Sequence, residues 1–239
     1  MKSWQTDLLV IAEKVQNKYC EKEFFVYLLD AAKELGFEYC AYGLRTPLPL
    51  TNPKTVLLNN YQTEWQRRYA DAAYVNSDPS VQYCRKVSSP LIWSDRVFLA
   101  APELWDEARS FGLRYGWAQS SFDGNGMGGM LTLARSSEPL SGAELHNNEI
   151  KMRWIVNIAH QALSRALLPE QHIETNLLTV RETEILKWTA DGKTSSEISE
   201  LLLISENTVN FHVKNIVLKL KVANKTAAVV KAAVMGMLG

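Results

Sequence analysis

A chain of 239 residues, 46% hydrophobic and 22% charged, can form one large domain or a medium domain with a small companion, and can bury a core. Lys+Arg and Asp+Glu number 26 each, which excludes a globally basic chromatin protein and an acidic disordered chain. The balance is uneven: residues 175–239 hold eight basic against six acidic side chains, and from Asn207 to Gly239 five lysines stand without an acid. That cation-rich end points to a polyanion partner or to a plain solvated surface. Cys20, Cys40 and Cys84 lack metal-ligand spacing and read as incidental thiols, so neither metal nor cofactor is expected. The apolar run before Glu13 is too short for a signal peptide core and no window suits a membrane span, so the expected location is the cytoplasm.

In chain order, residues 4–16 and 21–35 carry helical periodicity. In the second, Phe24, Leu28, Ala31 and Leu35 recur at three- and four-residue steps, and Gly36 ends the run. Strands are expected at Tyr39–Leu44 and, after Pro53, at Thr55–Leu58. Short helices fit 62–73, 79–86 and 95–111, the last with Leu104, Ala108 and Phe111 on one face. Trp117–Phe122 and Met130–Ala134 read as strands around a glycine-rich turn, and a long helix fits about 141–167. Helices flanking a central, mainly antiparallel sheet predict an α+β sandwich (α-β-α) for residues 1–168. The polar stretch 169–177 opens on a proline and reads as a linker. Beyond it, 178–239 reads as an all-α, four-helix domain, with Thr179-x-x-Glu182 and Thr194-x-x-Glu197 each matching the capping box of a helix start.

Within that domain, Ser195–Leu202 fits a helix burying Ile198, Leu201 and Leu202, and Ser205 is placed to cap the next, over about 206–220. On that helix Val209, Val213, Ile216 and Leu220 form one stripe, leaving Asn207, Asn210, Lys214 and Lys221 opposite, beside Phe211. Amides, ammonium groups and an aromatic on one face can meet base edges, phosphates and thymine methyls. A helix-turn-helix with such a face points to double-stranded DNA; a plain three-helix bundle is the alternative.

Glu182, Glu184, Leu186, Trp188, Ala190, Gly192, Lys193, Thr194, Glu197 and Ile198, then Ser205, Thr208, Val209, His212, Asn215 and Ile216, stand in a distinctive order and spacing. On these residues the stretch 178–238 is similar to the DNA-binding domain of the LuxR-type family of transcriptional regulators. The likeness implies that Asn210 and Lys214, beside Asn207 and Phe211, face bases, and that Lys193, Thr194 and Thr208 hold phosphates. It also implies that the last helix, 225–237, pairs two such domains through Val230, Ala233, Val234 and Met237. Some family members carry arginine at the positions of Asn210 and Lys214, which leaves the preferred base sequence open.

A second concentration of polar and aromatic residues comprises Tyr61, Trp65, Tyr69, Asp78 and Trp93. Tyr61, Trp65 and Tyr69 are four apart and would form one ridge on a helix, which core packing alone can explain. Asp78 shifts that reading, because a carboxylate among aromatics is costly to bury without donors. The order Tyr61, Trp65, Tyr69, Asp78, Pro79, Trp93, Gly116 resembles the autoinducer-binding domain of LuxR-type quorum-sensing receptors, so the similarity covers essentially the whole chain. The resemblance implies an N-acyl-homoserine lactone as the signal. Its amide N–H would meet the acceptor Asp78, its lactone carbonyl the Trp65 indole, and its amide carbonyl Tyr69 or Thr132, with Tyr61 and Trp93 as walls. The acyl tail would pass Ala41, Gly43, Leu57, Val81 and Met130, each buried methylene adding about 0.8 kcal/mol. A homodimer on palindromic promoter DNA, with RNA polymerase as a further partner, completes the implied picture.

Competing signals are weak. Gly124–Gly129 contains G-x-G-x-x-G, but the alternating Met130–Ala134 that follows is not the helix a dinucleotide site needs. His146, His160, His172 and His212 are scattered and no G-x-S-x-G elbow exists, so no enzyme is expected. Residues 1–168 lack the β/α alternation of a phosphorylated receiver. A receptor for a non-lactone amphiphile, or one acting without ligand, stays open.

Overall fold

The computed structural model describes residue 9 and residues 21–124, 126–167 and 177–238, which belong to two compact units. The first unit opens with α1 (Glu21–Glu34), β1 (Tyr39–Arg45) and β2 (Thr55–Asn59). Next come α2 (Thr63–Asp71), one 3₁₀ turn (Tyr74–Asn76), α3 (Pro79–Cys84), the two-residue β3 (Leu91–Ile92) and α4 (Pro102–Ser110). The hairpin β4 (Tyr115–Phe122) and β5 (Gly128–Arg135) and the long α5 (Gly142–Leu167) complete it. All strand pairs are antiparallel, in the order β2-β1-β5-β4-β3. The glycine-rich segment is the turn between β4 and β5, where Phe122 pairs with Gly128.

Alternate side chains of each strand leave the sheet on opposite faces, and different helices cover the two. Cys40, Tyr42, Leu44, Trp117, Leu131 and Leu133 pack in one buried core with Phe24 and Leu28 of α1 and Ile155 and Leu163 of α5. The period read from the sequence is the one used: Phe24, Leu28 and Ala31 are wholly buried. Gly36, with φ +85°, ends α1 as a Schellman cap: Phe37 N–H donates to the Ala32 carbonyl (3.0 Å) and Gly36 N–H to that of Lys33 (2.9 Å). A second, aromatic-rich core joins Ala134 of β5 to Trp65 of α2, Tyr74, Phe98, and Leu104 and Trp105 of α4.

Several expectations change. The helix expected over 95–111 begins only at Pro102, which lacks an N–H and is tolerated in a first turn but not farther inside. Tyr61 precedes α2 and is not part of a three-membered helical ridge. β3 and the 3₁₀ turn are too short to carry a periodic signal. The helix expected over 4–16 lies outside the described residues apart from Leu9, as does the expected linker apart from Leu177.

The second unit holds α6 (Val180–Ala190), α7 (Ser195–Leu202), α8 (Glu206–Lys219) and α9 (Lys225–Val234). Both capping boxes form. Thr179 Oγ1 accepts from Glu182 N–H (3.2 Å) while Glu182 Oε2 accepts from Thr179 N–H (2.7 Å), and Thr194 with Glu197 repeats the exchange. Ser205 and Asn224 cap α8 and α9. Ile185, Leu186, Ile198, Val209, Ile216 and Leu220 form the core with Ala228 and Ala232. The helix expected to reach 237 stops at Val234, because Met237 N–H folds back to the Ala232 carbonyl (2.9 Å) around the left-handed Gly236.

Glu182 has a second task. Its Oε2 also accepts from Lys219 Nζ at 2.6 Å, tying the start of α6 to the end of α8. Burial pushes the Glu182 carboxyl up, but Lys219 and the Thr179 amide outweigh burial and hold it below the usual glutamate range. A depressed carboxyl contributes stability above its unfolded pKa and loses it as pH falls through the folded one. Glu182→Gln is therefore expected to destabilise this unit at neutral pH and to remove part of its acid sensitivity. The Lys219 side chain is 36% exposed, so solvent screens the pair and the cost is about 1 kcal/mol. Urea titrations at pH 7 and at acid pH check both points.

Candidate functional site

The floor of the first site is set by strand register. Ala41 lies between Asn59 and Thr132, and Thr132 in turn opposes Ala118. One step along, Gly43 lies between Leu57 and Met130. Ala41, Gly43, Leu57, Met130 and Thr132 thus share the sheet face opposite to α1 and α5. Ala41 and Thr132 are buried, whereas Leu57 is 47% exposed. No sequence period says that these three strands are neighbours.

Asp78 is fixed by its place in the chain. Pro79 occupies the first turn of α3 and Asp78 is its N-cap, so Asp78 Oδ1 accepts from Ser80 N–H (2.8 Å), Ser80 Oγ (2.6 Å) and Val81 N–H (3.4 Å). Asp78 Oδ2 accepts from Tyr69 O–H alone, at 2.9 Å, and keeps a lone pair for another donor. Burial pushes the Asp78 carboxyl up, against the lowering effect of Ser80, Tyr69 and the Val81 amide. Burial also raises Tyr69 and Tyr61, so both hydroxyls remain protonated donors.

Trp65 is buried, with its ring 5.7 Å edge-on from Tyr69, and so sits one side chain away from Asp78. The side-chain donors of Trp65, Tyr61 and Thr132 form no hydrogen bond within the described residues, and the Trp93 indole N–H is buried without a partner. Trp93 lies flat over Gly116, where an added Cβ would stand 2.3 Å from its ring. Phe98 and Trp105, stacked at 4.4 Å, meet Trp93 edge-on. Val81 is half-buried in the first turn of α3. Tyr69, Trp65 and Tyr61 thus gather near the buried acceptor Asp78, while Ala41, Gly43, Met130 and Thr132 share one face of the sheet. The arrangement can hold an amphiphile with an amide or ester head by hydrogen bonds, and offers no nucleophile–base pair.

Other residues of this region had weak or no sequence signals. Ser80 saturates Asp78 Oδ1, and the Asp-Pro-Ser run is a helix-start pattern that could have pointed to it. Arg68 holds Glu107 of α4 through two bonds of 2.7 Å and donates to Tyr74 O–H at 3.2 Å, bracing α2 against α4. That pairing spans 39 residues and has no local signature.

In the second unit, α8 exposes Asn207, Asn210, Phe211 and Lys214 on the side opposite the buried Val209 and Ile216. Thr208 is half-buried, its hydroxyl 2.8 Å from Ser205 Oγ. Thr194 caps α7, and Lys193 Nζ stands 3.7 Å from Glu197. Ser195, which the sequence reading passed over, donates to Asn210 Oδ1 at 2.8 Å and orients that amide. A turn of three residues, Leu203–Ser205, joins α7 to α8, with Leu203 left-handed at φ +52°. Helix, short turn and polar outer helix are the parts of a helix-turn-helix reader.

Among the described residues no helix is long and apolar enough to cross a membrane. Two family descriptions match the chain: the autoinducer binding domain over residues 21–163, and the bacterial regulatory proteins of the luxR family over residues 176–232. The chain is 45% identical to the transcriptional activator protein AnoR of Acinetobacter nosocomialis, over the full length of both. The crystal structure of Escherichia coli SdiA superposes with a TM-score of 0.79 at 33% identity, covering 99% of this chain and 100% of that one. SdiA in complex with octanoyl-rac-glycerol gives 0.78 at the same identity, with 100% and 98% covered. These relatives are transcriptional regulators and not enzymes. The chain belongs to the LuxR family, as a quorum-sensing transcription regulator that couples an autoinducer-binding domain to a DNA-binding helix-turn-helix.

Proposed function

We propose that the signal is an N-acyl-homoserine lactone bound on the Thr132 face of the sheet, and that the liganded chain, as a homodimer in the cytoplasm, binds palindromic promoter DNA and contacts RNA polymerase. The single observation that carries the ligand reading is Asp78: a buried carboxylate with one oxygen saturated by its own helix and the other still open. A secondary amide N–H is the donor that such an oxygen accepts. The Trp65 indole serves the lactone carbonyl and Thr132 or Tyr69 the amide carbonyl, while Tyr61 and Trp93 wall the ring. The tail passes Ala41, Gly43, Leu57, Val81 and Met130. Calorimetric titration of the full chain with a series of acyl-homoserine lactones tests this, and saturable binding of none of them defeats it.

One finding favours a second reading. A structure very similar to this chain is that of SdiA holding octanoyl-rac-glycerol, an ester amphiphile without a lactone. The same open acceptor and donors can take a glycerol hydroxyl and an ester carbonyl, so monoacylglycerols belong in the same titration.

For the DNA half, Asn207, Asn210, Phe211 and Lys214 face bases, while Lys193, Thr194 and Thr208 hold phosphates. Two copies, paired through α9, would set two reader helices about 34 Å apart, one turn of the duplex. Ser195→Ala is expected to free the Asn210 amide and relax base preference at its position. Lys193→Ala, by contrast, is expected to weaken all sequences alike and to reduce the salt slope of binding by about one. Binding-site selection and salt titrations with the full chain check the pair of outcomes.

A further inference from the structure

One exposed aromatic side chain on the ligand-bearing face of the sheet has no task in the reading above. Ala134, Thr132, Met130 and Gly128 of β5 mark four successive rows along that face, about 7 Å apart. The aromatic core that holds Trp65 and Tyr69 packs on the Ala134 row, where the Trp93 ring covers Gly116. The polar head of a ligand belongs at that end, since Tyr69 donates to Asp78. At the other end, Phe122 of β4 opposes Gly128. A Cβ added to Gly128 would stand 3.0 Å from Phe122 Cε1 and 3.3 Å from Cδ1. The Phe122 ring therefore lies across β5, in the space that a side chain at 128 would otherwise take. It is nonetheless 50% exposed.

Between these two rings the face is low and mostly apolar. Gly43 faces Met130 from β1, and a Cβ there would meet only Leu57 Cδ1, at 3.7 Å. Ser120 faces Met130 from β4, but its hydroxyl is already engaged, donating to the Val87 carbonyl at 2.9 Å. From Thr132 to Gly128 the strand advances four residues, ~13 Å, which is about the length of an extended ten-carbon acyl chain. A half-exposed phenyl ring across the end of an apolar strip offers surface that a chain terminus can remove from water. The same ring blocks a chain that is too long, because packed space does not absorb extra methylenes without strain.

We propose that Phe122 is the length gauge for the acyl tail, covering the terminal methyl of a chain of about ten carbons and rejecting longer chains. This rests on the Thr132 face being the ligand site, with the head at the Asp78 end. A shorter chain leaves the ring in water and a matched chain covers it. A longer one must lift the ring from Gly128 or fold back on itself.

The test titrates the full chain, by calorimetry, with hexanoyl-, octanoyl-, decanoyl-, dodecanoyl- and tetradecanoyl-homoserine lactone and with monoacylglycerols of the same chains. Affinity is expected to rise about tenfold for each two carbons up to decanoyl and to fall about tenfold at dodecanoyl. Phe122→Ala should let the rise continue through dodecanoyl and change hexanoyl affinity less than about twofold. Phe122→Trp, with a larger ring, should move the break down to octanoyl. A wild-type series without a break overturns the proposal, and so does a break that Phe122→Ala leaves in place. A Phe122→Ala variant that weakens every chain by one common factor also overturns it, because that marks a ring that only shields the strand. If the lactones fail and the glycerol esters bind, the lactone reading falls while the break in the ester series still decides on Phe122. If neither series binds, both readings fall.

Discussion

Asp78→Asn is expected to weaken the ligand response strongly while leaving the fold intact. Asparagine caps a helix about as well as aspartate, so the bonds from Ser80 and Val81 that start α3 survive the change. What is lost is the negative acceptor at Oδ2. A hydrogen bond to a charged group contributes about 1.5–3 kcal/mol, so affinity for an acyl-homoserine lactone should fall by roughly 10- to 150-fold. At a ligand concentration 100 times the wild-type dissociation constant, the ligand adds about 2.7 kcal/mol to the folded state, and most of that shift in melting temperature should vanish. Asp78→Ala separates the two roles, because it also removes the cap at an additional cost of about 1 kcal/mol. Unchanged ligand-induced stabilisation in Asp78→Asn removes this carboxylate from the site.

The pH dependence follows from the same group. Burial raises the Asp78 carboxyl, so the ligand-free domain gains stability as pH falls through that raised value, where the charged form no longer has to be buried. A ligand amide favours the ionised form and so opposes this. Binding should therefore weaken as pH falls through the raised value and should release protons there, and Asp78→Asn should flatten that part of the profile. Calorimetry in buffers of different ionisation enthalpy measures the proton release.

Gly116→Ala is expected to damage the same site from beneath. The added methyl would stand 2.3 Å from the Trp93 ring, and the Trp93 main chain is anchored by its backbone N–H on the Gly116 carbonyl at 2.8 Å. The ring must leave, disturbing its edge-on contacts with Phe98 and Trp105. Such overpacking costs about 1–3 kcal/mol, and with one wall displaced, ligand affinity should fall at least tenfold. Gly43→Ala is the control on the same floor. Its methyl would meet Leu57 Cδ1 at 3.7 Å, an ordinary contact. Stability should therefore hold within about 0.5 kcal/mol, and only the room for the tail shrinks. Near-ultraviolet circular dichroism, which reports on packed tryptophans, should change in the first variant and not in the second.

Much of the molecule was legible from residue order because it rests on local rules. The buried stripe of α1, both capping boxes and the stripe of α8 need only a helical period and a donor count over one or two turns. The motif order from Tyr61 to Gly116, and from Glu182 to Ile216, carried the family. Where local rules compete, the reading failed: Pro102 cut a helix that apolar spacing had extended back to residue 95, and Gly236 closed α9 early.

Strand order, side-chain partners and residual charge were decided only by the tertiary structure. That β1 lies between β2 and β5, so that Ala41 meets Thr132 and Gly43 meets Met130, depends on pairings between segments far apart in the chain. The clamp of Glu182 on Lys219, the brace of Arg68 on Glu107 and the isolation of Arg85 Nε arise in the same way. A sequence states which hydrogen-bonding groups exist. Which of them are satisfied, and which remain open to a ligand, is settled when distant segments pack and water is excluded, because burial is what makes an unmet donor or acceptor costly.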